Sequence, residues 1–272
     1  MNPKILKLLI PYIFIGSFQF QFAKEGLDYS SPYVFMGIRY LIAAAILLLI
    51  SRKLIFNRNI LPVALSFSAS SLFWILGLEF VTPGDSAVLN YTMPLFAILG
   101  AALLLGEKPL RTELTGVLIG FVGIGIYAAP LYQGSLLAGA ILSLVGAMTW
   151  GAYTVYLKKL REEDSVAVVG TAFLIGSIPF LIGAIPFHSV QFTEGFIIDL
   201  AYVSIPGGAI LLFLWNMMIK MERIGRVTTM VFAVPATTVG IQAIQTMSIP
   251  NGASILGSII LFVGIFVSYM KR

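Results

Sequence analysis

The chain has 272 residues, of which 58% are hydrophobic and 11% are charged, with a mean hydropathy of +0.96 and a formal net charge of +5. This composition is too apolar for a soluble globular domain and indicates a protein embedded in a lipid bilayer. The lack of cysteine excludes disulfides and thiolate metal sites. The single histidine, His188, has no visible partner ligand, so we expect no metal and no cofactor.

Ten apolar runs follow one another along the chain, each about as long as the ~20 helical residues that cross a ~30 Å hydrocarbon core. In chain order they are residues 5–22, 32–50, 61–80, 86–105, 115–131, 136–157, 166–186, 198–219, 227–247 and 253–270. No connecting segment is long enough to fold alone. We therefore predict an all-α polytopic membrane protein with ten transmembrane helices.

Basic residues divide the connections into two classes. The N-terminal segment, the even-numbered connections and the C-terminal segment contain Lys4, Lys7, Arg52, Lys53, Arg58, Lys108, Arg111, Lys158, Lys159, Arg161, Lys220, Arg223, Arg226, Lys271 and Arg272. The odd-numbered connections contain only Lys24. Because lysine and arginine stay on the cytoplasmic side of short loops, we predict a multi-pass cell-membrane protein with both termini cytoplasmic. The positive charge then reflects orientation, and we expect no nucleic-acid partner.

The second half of the chain repeats the first with a shift of 141 residues. Under this shift Trp74 meets Trp215, and Pro94 meets Pro235. Further pairs are Gly84 with Gly225, Pro109 with Pro250 and Gly116 with Gly257. Such matches of Trp, Pro and Gly indicate two five-helix repeats, residues 1–132 and 133–272. Five is an odd number, so the second repeat enters the membrane from the opposite side.

Inverted repeats are typical of secondary transporters, which bind substrate near the midplane beside interrupted helices. Pro94 falls near the middle of the fourth run, and Pro235 near the middle of the ninth. Proline removes a helix hydrogen bond and bends the helix. We predict that these two prolines are hinges for alternating access.

Residues 91–127, "YTMPLFAILGAALLLGEKPLRTELTGVLIGFVGIGIY", resemble the EamA-type signature of the drug/metabolite transporter superfamily. The second copy, residues 231–269, has Met247 and Ser248 in place of Gly106 and Glu107. The segment "IRYLIAAAILL" from Ile38 is similar to the family's arginine-containing second helix. This resemblance implies ten helices in two repeats and transport of amino acids, other metabolites, vitamins or drugs.

Arg39 lies inside the second run, where a charge normally faces the bundle interior or a polar path. Two roles remain open for it. It could anchor backbone carbonyls or a carboxylate, for which Glu79 and Asp85 are candidates, or it could bind substrate.

Polar and aromatic residues near the two prolines are further candidates for substrate binding. They are Tyr91 and Thr92 beside Pro94, Phe232 and Thr237 beside Pro235, and Trp74, Trp150, Tyr153, Trp215 and Asn216 along the same path. An aromatic wall suits flat or amphiphilic solutes and could also hold a cation.

We therefore predict a secondary transporter of amino acids or related small metabolites, acting by export or facilitated diffusion because no acidic residue is expected near mid-membrane. A multidrug or cationic-compound exporter is the alternative. Neither HExxH nor GxSxG nor a central Asp pair is present, which argues against an enzyme. A non-transporting receptor or scaffold remains an alternative function.

The expected partners are a small molecule and the bilayer. Glycines 116, 120, 123 and 125 allow close helix packing, within a monomer or across a homodimer.

Overall fold

The computed structural model describes residues 3–105, 110–131, 134–221, 227, 231, 233–248, 250–268 and 270. The regular elements of these residues are helices, with one isolated antiparallel bridge between Ser30 and Val190. In chain order the helices are α1 (Pro3–Gly26), α2 (Pro32–Ser51), α3 (Ile60–Leu78), α4 (Pro83–Asn90), α5 (Met93–Leu105), α6 (Arg111–Ala128), α7 (Gly134–Lys158), α8 (Ser165–Ala184), α9 (Glu194–Ser204), α10 (Leu211–Met221), α11 (Ala233–Thr246) and α12 (Gly252–Ser268). A 3-10 turn, Ala129–Leu131, follows α6, and a π-helical turn, Ile205–Ile210, joins α9 to α10.

Several helices begin where a short polar side chain precedes the apolar run. The Ser31 hydroxyl accepts a hydrogen bond from the Val34 amide at 3.3 Å, and Pro32 occupies the first helical position of α2. Asp164 caps α8 by accepting from the Ala167 amide at 2.8 Å. Such caps satisfy backbone donors that have no partner within the helix. Local sequence therefore determines where these helices enter the membrane region.

Among the described residues, eight helical segments are long and apolar enough to cross a membrane: Ile5–Gly26, Pro32–Ser51, Ile60–Leu78, Pro83–Leu104, Arg111–Leu131, Gly134–Lys158, Ser165–Ala184 and Glu194–Met221. They correspond to the first eight predicted runs. Helices α11 and α12 occupy the positions of the ninth and tenth runs, and α12 contains a shorter apolar stretch, Gly252–Val267. The chain is an all-α polytopic membrane protein.

The fourth predicted run contains an interruption rather than a single bent helix. Helix α4 ends at Asn90 and α5 begins at Met93. The Thr92 hydroxyl donates to the Leu89 carbonyl at 2.6 Å, which satisfies a carbonyl at the break. Pro94 is the second residue of α5, and Pro235 is the third residue of α11. Both prolines thus occupy the first turn of a helix, where their missing N–H is tolerated.

The eighth predicted run begins earlier than expected and changes pitch in its middle. Because α9 starts at Glu194, Asp199 lies more than one turn inside this span, where it is buried. The prediction that no acidic residue lies near mid-membrane concerns a greater depth than that of Asp199 and stays a prediction. The π turn contains the sequence IPGGAI, in which Pro206 supplies no N–H. Turns of this type inside helices often lie at functional sites.

Helices from the two halves of the chain pack directly on each other. Within the described residues, α2 packs on α8, α3 on α7 and α8, α6 on α12, α4 on α11, and α1 on α9 and α10. The α6–α12 contact depends on glycine, because a Cβ on Gly123 would collide with the Leu261 backbone and one on Gly264 with the Gly120 backbone. Gly125 faces open space. These glycines therefore allow close packing inside one chain.

Candidate functional site

A cavity of about 70 Å³ lies between the helices of the two halves of the chain. It is lined by Tyr12, Gly16, Gln19, Phe20, Arg39, Phe67, Ser70, Ser71, Trp74, Asn90, Tyr91, Met93, Trp150, Leu211 and Leu212. The lining thus combines aromatic rings with a few polar groups and one guanidinium.

Two irregular segments of backbone border this cavity. Asn90, Tyr91 and Met93 come from the break between α4 and α5. Leu211 and Leu212 follow the π turn directly. Irregular backbone at membrane depth is tolerated only where protein or a water-filled cavity surrounds it. The cavity therefore lies beside the two segments whose backbone groups need hydrogen-bond partners outside a regular helix.

Arg39 is 1% exposed and reaches across from α2 to the π turn. Its Nε donates to the Val203 carbonyl at 3.1 Å, and its Nη2 donates to the Gly207 carbonyl at 3.3 Å. When the Gln19 amide is oriented to satisfy both of its ends, its oxygen accepts from Arg39 Nη2 at 3.1 Å and its nitrogen donates to the Gly207 carbonyl. Of the two anchoring partners considered, the structure places carbonyls at Arg39, not a carboxylate.

The carboxylates of Glu79 and Asp85 lie in other environments. The Asp85 carboxylate accepts from Tyr127 and Thr82, each at 2.6 Å. The Lys24 ammonium donates to the Glu79 carbonyl at 2.9 Å, and burial raises the pKa of the Glu79 carboxyl while Lys24 opposes the rise. Arg39 therefore has no ion-pair partner within the described part of the chain.

Aromatic rings form a large part of the cavity lining. The guanidinium carbon of Arg39 lies 5.2 Å from the centre of the Trp74 ring. Phe20 meets Trp74 edge-on with ring centres 5.6 Å apart, and Tyr91 lies 6.5 Å from Phe20. Trp150, which lies on α7, also lines the cavity. Such a surface fits a flat apolar group.

The cavity brings together four of the predicted binding residues, Arg39, Trp74, Tyr91 and Trp150. Tyr153 and Trp215 lie behind the lining, because each packs against Trp150, at 5.2 Å and 6.1 Å between ring centres.

Three other predicted residues, which the structure describes, do not line the cavity. Thr92 is buried at the helix break. Asn216 is buried elsewhere and accepts from the Ser165 hydroxyl at 3.0 Å. Thr237 is exposed on α11, since Thr238 faces the bundle, which corrects its expected position. Phe232 lies outside the described residues.

Sequence reasoning missed the contribution of α1 and of two serines on α3. Gln19 and Phe20 come from α1, while Ser70 and Ser71 come from α3. A polar residue inside an apolar run is the signal that could have found Gln19 and the two serines. Asn90 belongs to the same class. The signal is weak for Phe20, because phenylalanine is common throughout the chain.

A second cavity, of about 360 Å³, lies between α4, α6, α11 and α12. Asp85, Tyr127, Gln242 and Ser254 are among its lining residues. The Gln242 side chain accepts from the Gly84 amide at 2.5 Å, which joins α11 to the start of α4. The described residues contain no group of three or more side chains able to hold a metal ion.

Comparison with known proteins adds a family and a fold. The profile of the EamA-like transporter family matches this chain twice, at residues 4–128 and 137–270. An uncharacterized transporter in the sor 3' region of Acidianus ambivalens is 39% identical over 238 residues, which cover 88% of this chain and 94% of that protein. A riboflavin transporter of Vibrio cholerae is 31% identical over 44% of this chain and 40% of its own length.

A solved crystal structure shares the fold, with a TM-score of 0.71 at 17% identity, over 99% of this chain and 98% of its own. The fold thus agrees with a family match that spans both halves of the sequence. The chain belongs to the EamA-like transporter family.

Proposed function

We propose that this chain is a secondary transporter that moves small metabolites, amino acids or related compounds, across the cell membrane by alternating access. The observation that carries this proposal is the central cavity, bordered by the α4–α5 break on one side and by the π turn, Ile205–Ile210, on the other. Interrupted helices beside a cavity between two halves are the arrangement that secondary transporters use. Export and facilitated diffusion are both compatible with it.

The ten-helix count and the two inverted repeats, residues 1–132 and 133–272, are part of the same proposal. The packing pattern supports it. If the two repeats are equivalent, the second predicted helix corresponds to the seventh, the fourth to the ninth and the fifth to the tenth. In the structure each of these corresponding pairs is in contact, since α2 packs on α8, α4 on α11 and α6 on α12. The contact of α3 with α7 then corresponds to that of α1 with α9 and α10. The two family matches, 4–128 and 137–270, have compatible boundaries.

The proposed orientation has both termini in the cytoplasm, supported by the distribution of lysine and arginine among the connections.

The α6–α12 glycine contact lies within one chain, which removes one reason to expect a dimer. The chain acts as a monomer or a homodimer. No enzyme activity is part of the proposal.

Amino acids and related compounds are favoured over cationic drugs by the charge of the cavity. Arg39 is buried beside Trp74, and none of the lining residues is acidic. A cation entering this space would meet a like charge at low dielectric. The aromatic wall accommodates an apolar side chain of either class.

Exchange in liposomes tests the proposal. Purified protein is reconstituted into vesicles preloaded with a mixture of the common amino acids and their 2-oxo and deaminated acid analogues, and entry of each radiolabelled compound is followed. We expect exchange of at least one compound, absent in protein-free vesicles. Saturable binding without any exchange would instead favour the receptor alternative and contradict transport.

A further inference from the structure

All three tryptophans of the chain lie at or directly behind the wall of the central cavity, and each has an unpartnered indole N–H. Trp74 and Trp150 line the cavity, and Trp215 packs behind Trp150. In each, Nε1 is buried with no hydrogen-bond partner among the described residues. Indole nitrogen can only donate. A buried donor without a partner costs free energy, so these two donors, on residues that line the cavity, would be stabilised by an acceptor that reaches them.

Several other polar groups of the lining already form hydrogen bonds with the protein. The Ser70 hydroxyl donates to the Gly146 carbonyl at 2.8 Å, and the Ser71 hydroxyl accepts from Tyr40 at 2.6 Å. The Asn90 amide donates to the Ser86 carbonyl at 2.9 Å. Trp74 and Trp150 therefore contribute two donors that have no partner among the described residues, and the lining contains no carboxylate.

Charge strengthens this preference for acceptors. The Arg39 guanidinium lies 5.2 Å from the Trp74 ring centre and is held by neutral carbonyls and Gln19. These partners orient the guanidinium but do not cancel its charge. A cation over an indole face draws electron density from the ring, which makes its N–H a stronger donor. The positive charge of Arg39 therefore has no counter-ion among the residues that line the cavity.

We propose that the occupant of the central cavity is a small organic monoanion with an aromatic or other flat apolar part, whose oxygens accept hydrogen bonds from Nε1 of Trp74 and Nε1 of Trp150. This inference rests on the proposed transport function and narrows its substrate class. The anion supplies the charge that Arg39 lacks, and its flat part packs against Phe20 and Tyr91. A zwitterion binds less well, because the lining has no carboxylate for its ammonium group.

Three probes with the same phenyl group and chain separate these charge states. They are 3-phenylpropanoate, L-phenylalanine and phenethylamine, which are an anion, a zwitterion and a cation. Because Trp74 and Trp150 line the cavity and Trp215 packs against Trp150, intrinsic fluorescence of the purified protein reports on this site. We expect 3-phenylpropanoate to saturate the signal at a concentration about tenfold lower than phenethylamine, with L-phenylalanine between them. Equal or tighter binding of the cation, or no saturable response to the anion, overturns the inference.

Substitution of tryptophan by phenylalanine removes the N–H while keeping an aromatic ring. We expect Trp74→Phe and Trp150→Phe each to weaken 3-phenylpropanoate binding about tenfold, which is ~1.4 kcal/mol. Trp215→Phe is the matched control, because its N–H is also unpartnered but its side chain does not line the cavity. We expect it to bind within about twofold of the unmodified protein, measured by calorimetric titration. Unchanged affinity in both lining variants, or an equal loss in the control, contradicts the inference.

Flux measurements distinguish failure of this inference from failure of the transport proposal. If vesicles exchange phenethylamine or L-phenylalanine while the anion neither binds nor moves, transport stands and the inference is wrong. If 3-phenylpropanoate binds as described but no compound crosses the vesicle membrane, the cavity chemistry stands and transport is wrong.

Discussion

Arg39 is buried inside α2, where a charge removed from water costs several kcal/mol unless it is well hydrogen-bonded. Its donors reach the carbonyls of Val203 and Gly207, at the end of α9 and in the π turn. A guanidinium presents its donors in a fixed plane, so one side chain can bind two carbonyls of different turns. Arg39 therefore couples α2 to the irregular part of the eighth span while also facing the cavity.

The first prediction concerns this coupling. We expect Arg39→Ala to reduce exchange in vesicles at least tenfold and to lower the melting temperature, because two hydrogen bonds to a charged donor, each worth ~1.5–3 kcal/mol, are lost. Arg39→Lys should recover part of the activity, since an ammonium cannot bind both carbonyls in the same plane. The exposed Arg58→Ala is the control and should behave as the unmodified protein. Full exchange by Arg39→Ala would remove Arg39 from the site.

At the scale of the helix, the contact between α6 and α12 depends on the absence of side chains at a few positions. Gly123 and Gly264 meet opposing backbone so closely that a Cβ could not be accommodated without a shift. Membrane helices associate closely through such small residues, because lipid provides no hydrophobic drive to bring them together. This pair fixes the fifth and tenth predicted helices as one unit.

A matched pair of substitutions tests that contact. We expect Gly123→Ala to destabilise the protein by about 1–3 kcal/mol, since overpacking against Leu261 forces the backbones apart. Gly125→Ala, two residues away on the same helix, meets nothing within 4 Å and should have no effect. Thermal unfolding in detergent measures both. An equal melting temperature for the two variants would contradict the packing described here.

The helices that contain the two prolines carry the second prediction at this scale. Pro94 cannot donate to the Asn90 carbonyl, so α4 and α5 stay separate at Tyr91 and Thr92. Alanine at position 94 would supply that donor and favour one continuous helix. We expect Pro94→Ala and Pro235→Ala to slow exchange severalfold while leaving probe binding nearly unchanged, because a straighter helix moves less readily. If both variants exchange at the unmodified rate, the prolines only shape a static bundle.

At the scale of the whole molecule, orientation follows from charge on the connections. Arg58 and Lys159 are exposed in connections that we predict to be cytoplasmic, and His188 is exposed in one that we predict to be extracellular. The chain has no native cysteine, so a single introduced cysteine is the only thiol. The same distribution predicts that α1 and α7 enter the membrane from opposite sides.

Labelling of intact cells measures this orientation. We expect an impermeant thiol reagent to modify His188→Cys and to leave Arg58→Cys and Lys159→Cys unmodified until the cells are opened, because the positive-inside rule places basic connections in the cytoplasm. Permeabilised cells are the control for accessibility of all three sites. The reverse pattern would require the opposite orientation, and labelling of Arg58→Cys alone would contradict the order of the spans.

The number and positions of the first eight spans could be predicted from the sequence, because twenty consecutive apolar residues have few alternatives to a membrane helix. The family could also be predicted, since the proline, glycine and Gly-Glu pattern of residues 91–127 is local. An irregularity of the helix near Pro94 could be predicted as well, because the missing N–H is a property of one residue, but the sequence predicted a bend where the structure has a break.

Only the tertiary structure decided which side chains meet in the cavity. Gln19 and Trp150 are far apart in the sequence, yet both line it, while Thr237 faces away although it lies two residues from Pro235. Which face of a helix is buried depends on how its neighbours pack around it, and nearly every residue of a membrane helix is apolar, so the sequence gives little signal of that face. The hydrogen-bond partners of Arg39 could not be predicted from the sequence for a related reason. They are backbone carbonyls exposed by the pitch of the π turn, and no residue type marks a carbonyl.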